Sequence, residues 1–130
     1  MKEITKLIKI MEEIRKNIYA EMPVQQIHIL LTVADNPGIT LPELSDALHM
    51  NQGTTSRNVK VMGRYMEKSD APGKEGRKHA EIKGHDLLHT QPDLYNRKSL
   101  AVFLTKKGEK VVRQLAKIVT VPPPRPREAN

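Results

Sequence analysis

Residues 39–64 read ITLPELSDALHMNQGTTSRNVKVMGR, and two short helices with a tight turn between them follow from that stretch. Thr40-Leu41-Pro42-Glu43 has the form of a capping box, in which the Thr40 hydroxyl accepts from the Glu43 N–H and the Glu43 carboxylate reaches back. Ile39 and Leu44 flank the box as a hydrophobic staple, so a helix is predicted over Leu41–Leu48. After His49-Met50, Asn51 can cap a second helix whose inward stripe is Thr55, Val59, Met62 and Met66, at steps of four, three and four. Two helices this close make a helix-turn-helix.

Charge changes sign at the turn. Residues 21–50 hold four acids (Glu21, Asp35, Glu43, Asp46) and no Lys or Arg, whereas 51–64 hold Arg57, Lys60 and Arg64 and no acid. On a wheel of about 100° per residue with the stripe inward, Gly53, Arg57, Lys60 and Arg64 share the opposite face, flanked by Ser56. A helix fits the major groove of B-DNA, where Arg reads guanine and Asn or Gln reads adenine. Arg57, Gln52 and Asn51 are therefore the candidate base readers, and Thr54, Ser56, Lys60 and Arg64 the candidate phosphate contacts. The bland alternative is a basic surface helix that merely meets solvent.

On the amino-terminal side, Ile4, Leu7, Ile8, Met11, Ile14 and Ile18 recur at three- and four-residue steps and predict an amphipathic helix. Pro23 suits the first turn of the next, with Val24, Ile27, Leu30, Leu31 and Ala34 apolar until Asn36-Pro37-Gly38 stops it. On the carboxy-terminal side, residues 69–85 contain three Gly, one Pro and seven charges without an apolar period. They read mainly as a flexible loop, with room for one helical turn around Arg77 to Ile82. The period then becomes two: a short strand near Leu87 to Gln91, a polar turn over Pro92 to Lys98, and a strand with Leu100, Val102 and Leu104 on one side. Arg97 and Lys98 near the tip of this hairpin are candidate minor-groove or backbone contacts, with Asp93 expected to orient Arg97 by a salt bridge. Lys106 to Val119 reads as a last helix, which Pro122-Pro123-Pro124 cannot continue. The expected fold class is mainly α (α+β), a winged helix-turn-helix with a two-stranded wing and terminal helices. It occupies residues 1–121 as one domain, with a disordered proline-rich tail over 122–130.

Composition agrees with that architecture. The 130 residues carry 22 Lys and Arg against 15 Asp and Glu, a formal charge of +7, which suits a polyanionic partner. There is no cysteine, so disulfides, thiolate nucleophiles and cysteine-ligated zinc are excluded. One Phe, three Tyr and no Trp offer few stacking platforms for single strands or RNA. No run of about 18 apolar residues and no signal-like stretch occurs, so no membrane association and a cytoplasmic, nucleoid-associated location are expected.

Enzymatic and metal readings fare poorly. Glu12 and Glu13 are adjacent and diverge on a helix, so they form no acid–base pair. No phosphate-cradling glycine motif exists around Gly73 and Gly76. His85 and His89 are four apart, but in a segment read as strand or loop, where that spacing serves a metal badly. His28 reads as a partly buried hydrogen-bonded residue or a dimer-surface residue. No cofactor, no metal and no catalytic residue are expected.

The stretches PVQQIHILLTVADNPGITLPELSDALHMNQGTTSRNVKVM (23–62) and LLHTQPDLYNRKSLAVFLTKKGEKVVRQL (87–115) resemble the MarR-type multiple-antibiotic-resistance regulators. Leu104-Thr105-Lys106-Lys107-Gly108 stands where that family has a leucine-threonine-x-x-glycine step. The family's wing arginine falls on Arg97 and its acidic partner on Asp93. The resemblance implies a homodimer paired through Ile4 to Ile18 and Val111 to Val119, whose two recognition helices enter successive major grooves of double-stranded DNA. It also implies a sequence-specific transcriptional regulator acting as a repressor, with a small-molecule effector that no residue here marks. The pattern departs at the long 69–85 link, at His49, at Asn58 where the family is often apolar, and in short terminal helices. Two other readings stay open: a winged-helix module that grips another protein, as adaptor or antagonist of a host factor, and non-specific nucleoid binding.

Overall fold

A computed structural model of the protein describes residues 1–72 and 78–120; the proline-rich segment and Arg77 lie outside the described residues. Among the described residues, five helices and five strands follow in the order α1 (Lys2–Asn17), α2 (Val24–Asp35), β1 (Ile39–Thr40), α3 (Leu41–Leu48), α4 (Gln52–Met62), β2 (Tyr65–Pro72), β3 (Lys78–Lys83), β4 (Leu88–Pro92), β5 (Leu100–Leu104) and α5 (Lys106–Thr120). Strands β1, β5 and β4 form one antiparallel sheet in that spatial order, with Ile39 opposite Val102 and Thr90 opposite Val102 on the other edge.

The core explains why these segments hold together. Ile29, Leu30 and Val33 of α2, Leu44 of α3, Val59 and Met62 of α4, Leu87 and Leu88, Val102, and Val111 and Leu115 of α5 form one buried cluster, joined by Ile14 of α1. The capping box at Thr40 is complete. The Thr40 hydroxyl accepts from the Glu43 N–H at 3.3 Å, and the Glu43 carboxylate accepts from the Thr40 N–H at 3.3 Å. His49 ends α3 in the left-handed region at φ 54°, so the chain reverses tightly enough for Asn51 to start α4.

Three expectations need correction. The segment 69–85 is not mainly loop: β2 and β3 pair in an antiparallel ribbon, with Tyr65 opposite Lys83, Met66 opposite Ile82 and Glu67 opposite Glu81. No helical turn forms in the described part, residues 78–82, because the backbone there is committed to that pairing. Second, the inward stripe of α4 stops at Met62, and Met66 stands 62% exposed on β2. The helix cannot continue because Gly63 leaves helical geometry and the N–H groups of His85, Leu87 and Asp86 take the carbonyls of Val61, Met62 and Gly63 at 3.1, 2.7 and 3.1 Å. Third, Leu31 of α2 is exposed while Ile29 and Val33 are buried, so the face turned to the core is rotated from the expected one.

The step at 104–108 holds the same joint from the other side. Thr105 donates from its hydroxyl to the Asp86 carbonyl at 2.6 Å, donates from its backbone to Leu87 O at 3.0 Å, and caps α5 by accepting from the Gly108 N–H at 3.0 Å. A Cβ on Gly108 would lie 2.2 Å from Leu87 O, so only glycine lets α5 approach this strand.

Candidate nucleic-acid interface

Asn51 starts α4 by accepting from the Thr54 N–H at 2.7 Å, which directs the first turn of the helix outward with its free N–H groups. Gln52, Gly53, Ser56, Arg57 and Lys60 are exposed, and Thr54 is half-buried. Long side chains on a helix lean toward its N-terminus, and the Arg57 guanidinium obeys: its nitrogens lie 3.6 and 4.0 Å from where a Cβ on Gly53 would stand. The absent side chain at Gly53 thus gives Arg57 its path along the helix.

Arg64 is not on the helix face where the wheel put it, because α4 has ended one residue before the Gly63 bend. It remains exposed and lines a cleft of about 470 Å³ with Ser56, Lys60, Asp86, His89 and Thr90. This cleft separates α4 from β4 and brings Ser56, Lys60 and Arg64 together. The Lys60 ammonium sits 5.3 Å from the centre of the Tyr65 ring, so the root of the ribbon holds one of the cations.

Arg97 and Lys98 are exposed at the tip of the hairpin between β4 and β5, a separate site from the cleft. The expected Asp93–Arg97 salt bridge does not form. The Asp93 carboxylate instead accepts from the Asn96 N–H at 3.1 Å, and the Asn96 side chain accepts from the Lys98 N–H at 3.2 Å. In so short a turn the nearest donor to an Asp side chain is backbone, so the acid shapes the tip and leaves Arg97 free of it. Among the described residues the ion pairs are Lys83–Glu67 and Arg113–Glu109, so no recognition-helix or wing cation is neutralised by one.

Sequence reasoning missed Thr90 on the cleft wall and Tyr95, 97% exposed at the wing tip. Strand alternation marks Thr90 only once the register of β4 is known; an aromatic in a polar turn was a visible signal for Tyr95. The two histidines weighed for a metal each lie against an aromatic ring, His85 on Tyr19 at 4.1 Å and His89 on Phe103 at 5.5 Å. His28 is exposed on α2.

Burial, and after it the Lys107 charge, lowers the His85 pKa below the ordinary histidine value. The unfolded chain takes up this proton at about pH 6.5, before the folded protein does. The stability that neutral His85 supplies is therefore whole above that pH and is lost as pH falls through the lower folded value. Thermal melts from pH 7.5 down to 5 are expected to decline more steeply for the wild type than for His85→Gln; parallel curves would contradict the shift.

A family model for the MarR family matches residues 20–63. The fold is that of the MarR-type winged-helix regulators. RV1404 from Mycobacterium tuberculosis superimposes with a TM-score of 0.61 at 21% identity, covering 89% of this chain and 65% of its own. The S. aureus MepR–DNA complex gives 0.54 at 17% identity, with coverages of 91% and 73%. The PcaV transcriptional regulator from Streptomyces coelicolor, in complex with its natural ligand, gives 0.53 at 17%, with 82% and 62%. The chain spans less than two thirds of the length of PcaV and RV1404. No curated protein sequence matches it. Among the described residues no helix is long and apolar enough to cross a membrane.

Proposed function

We propose that this protein is a homodimeric, sequence-specific double-stranded DNA-binding regulator that represses transcription by occluding a promoter, and that it acts in the cytoplasm on the nucleoid. The observation that carries this is the outward, unneutralised Arg57 on a helix whose N-terminus is capped and whose C-terminus is bolted to the 85–87 segment that leads into the wing. Arg57 and Gln52 are assigned to base edges. Asn51, whose carboxamide oxygen already serves the cap, keeps only its N–H₂ for a base. Thr54 takes a phosphate at the first turn of α4, Ser56, Lys60 and Arg64 take phosphates along the cleft, and Arg97 and Lys98 take the neighbouring groove or its backbone. MepR has been solved with DNA, which supports the same use of this fold here.

The dimer is assigned to α1 and the end of α5. Ile4, Leu7, Ile8 and Met11 form a stripe left exposed, Val119 is exposed as well, and the Lys6 ammonium donates to Val119 O at 3.1 Å, tying the two helices together. A stripe of that size in water is costly for a monomer. Replacing Leu7 and Ile8 together by Asp is expected to convert a dimer to a monomer in analytical ultracentrifugation and to weaken DNA binding through lost avidity; a wild type that sediments as a monomer ends the dimer assignment.

The function is tested by enriching bound fragments from random double-stranded DNA and footprinting the product, with affinity measured across salt. Four backbone-facing cations per protomer, Lys60, Arg64, Arg97 and Lys98, predict a steep log–log slope, about −0.9 for each phosphate neutralised. An enriched near-palindrome with a steep slope supports the regulator. A steep slope without enrichment indicates non-specific nucleoid binding, and no binding at low salt indicates a protein-interaction module.

A further inference from the structure

Four polar side chains with no place in the DNA-facing surface connect into one path through the body. Asn58, on the flank of α4 next to Arg57, donates from Nδ2 to Thr54 O at 3.0 Å and accepts at Oδ1 from Gln26 Nε2 at 3.1 Å. Gln26 is 6% exposed in α2, and its Oε1 accepts from the Tyr19 hydroxyl. The Tyr19 ring lies flat on His85, with centroids 4.1 Å apart and planes 5° from parallel. His85 then donates from its backbone to Val61 O at 3.1 Å, which returns the path to α4. Burial raises the Tyr19 pKa.

We propose that Tyr19, Gln26, Asn58 and His85 form a polar brace that positions the recognition helix, gripping α4 in its middle and at its end and joining both grips to the root of the β2–β3 ribbon. An apolar contact at Asn58 would permit the helix to roll, because hydrophobic packing is non-directional. A hydrogen-bonded path does not, since any roll strands the buried Gln26 amide. Asn58 and Arg57 are neighbours in sequence, so fixing one fixes the direction in which the other leaves the helix, and a reading site tolerates only about 0.5 Å of looseness. The departure from an apolar residue at Asn58 and the burial of Gln26 thereby have a single cause. Because the ribbon runs between Gly63 and Gly84, beside the grip at Val61, the brace also ties whatever the ribbon touches to the setting of α4.

The affinity half of the test rests on the DNA-binding reading; the exchange half does not. In the full chain, Tyr19→Phe, Asn58→Leu and the double variant are compared by amide hydrogen exchange over Gln52–Met62 and by affinity for a fragment enriched from random DNA. Tyr19→Phe removes one oxygen and keeps the stack, so the fold is retained. Each single variant is expected to exchange about tenfold faster within α4 and to bind DNA five- to tenfold more weakly, with the double no worse than the worse single, as members of one path require. His85→Phe, which preserves the flat ring, is expected to behave as wild type, and His85→Ala as Tyr19→Phe. Additive losses, or unchanged α4 exchange in both single variants, overturn the brace. A wild type that enriches no fragment overturns the DNA-binding reading and leaves the exchange result to decide the brace.

Discussion

Gly84→Ala is expected to lower the stability of the protein by about 3 kcal/mol or more, a fall of roughly 10 °C in melting temperature for a domain of this size. Two independent costs combine. Gly84 has φ +108°, a region that residues with a Cβ rarely occupy, and a Cβ there would stand 2.0 Å from the Gly63 carbonyl oxygen and 3.2 Å from that of Val61. Neither obstacle is a flexible side chain; both are the last carbonyls of the recognition helix, already held by the 85–87 backbone. Relief of the clash must therefore pull residues 85–87 away from α4 and strip its C-terminal hydrogen bonds. Circular-dichroism melts of the variant check the magnitude. Gly53→Ala, where a Cβ would meet only ordinary contacts at 3.5 Å and beyond, serves as the control, and a Gly84→Ala protein that melts with the wild type would contradict the packing at this joint.

Arg57→Ala is expected to cost about 1 to 3 kcal/mol on the enriched site, roughly a 5- to 150-fold loss of affinity, and to relax sequence preference at one base position of each half-site. The reason is geometric: a guanidinium lying along the outer face of α4 above Gly53 presents a planar pair of donors, which matches the two acceptors of guanine. Lys60→Ala, Arg97→Ala and Lys98→Ala are different in kind. Each should weaken all sequences about equally and make the salt slope shallower by about 1. Competition binding against single-base variants of the site separates the two behaviours. Equal affinity of wild type and Arg57→Ala at fixed salt would remove Arg57 from the reading surface.

The parts of this protein legible in its sequence are those set by neighbours in the chain. Thr40 and Glu43 are three apart and can satisfy one another wherever the rest of the chain goes. Asn51 reaches Thr54 for the same reason, and the outward placement of Arg57 and Lys60 needs only the helical period. Illegible were the features set by partners distant in sequence. Met66 fits the period of α4 as well as Met62 does, yet the helix ends between them because His85, Asp86 and Leu87 supply the donors for its last carbonyls. Residues 65–72 and 78–83 lack a clean period-two pattern, and among the side chains described there none is buried: Met66 and Ile82, a cross-strand pair, are both about 60% exposed. Asp93 was assigned to Arg97 by charge, but in a tight turn the backbone N–H of Asn96 is nearer.

By itself, the order of residues determined the helix-turn-helix, its caps, the wing, the sign of the charge on α4 and the outward side of Arg57 and Lys60, because capping and periodicity act within a few residues. Only the tertiary structure decided where the recognition helix stops, that an extra ribbon grows from that point, and that Asn58, Gln26, Tyr19 and His85 are one connected set. Those outcomes depend on which carbonyls and amides of remote segments meet in a low-dielectric interior, where an unmatched group costs more than the local preference of any helix or loop.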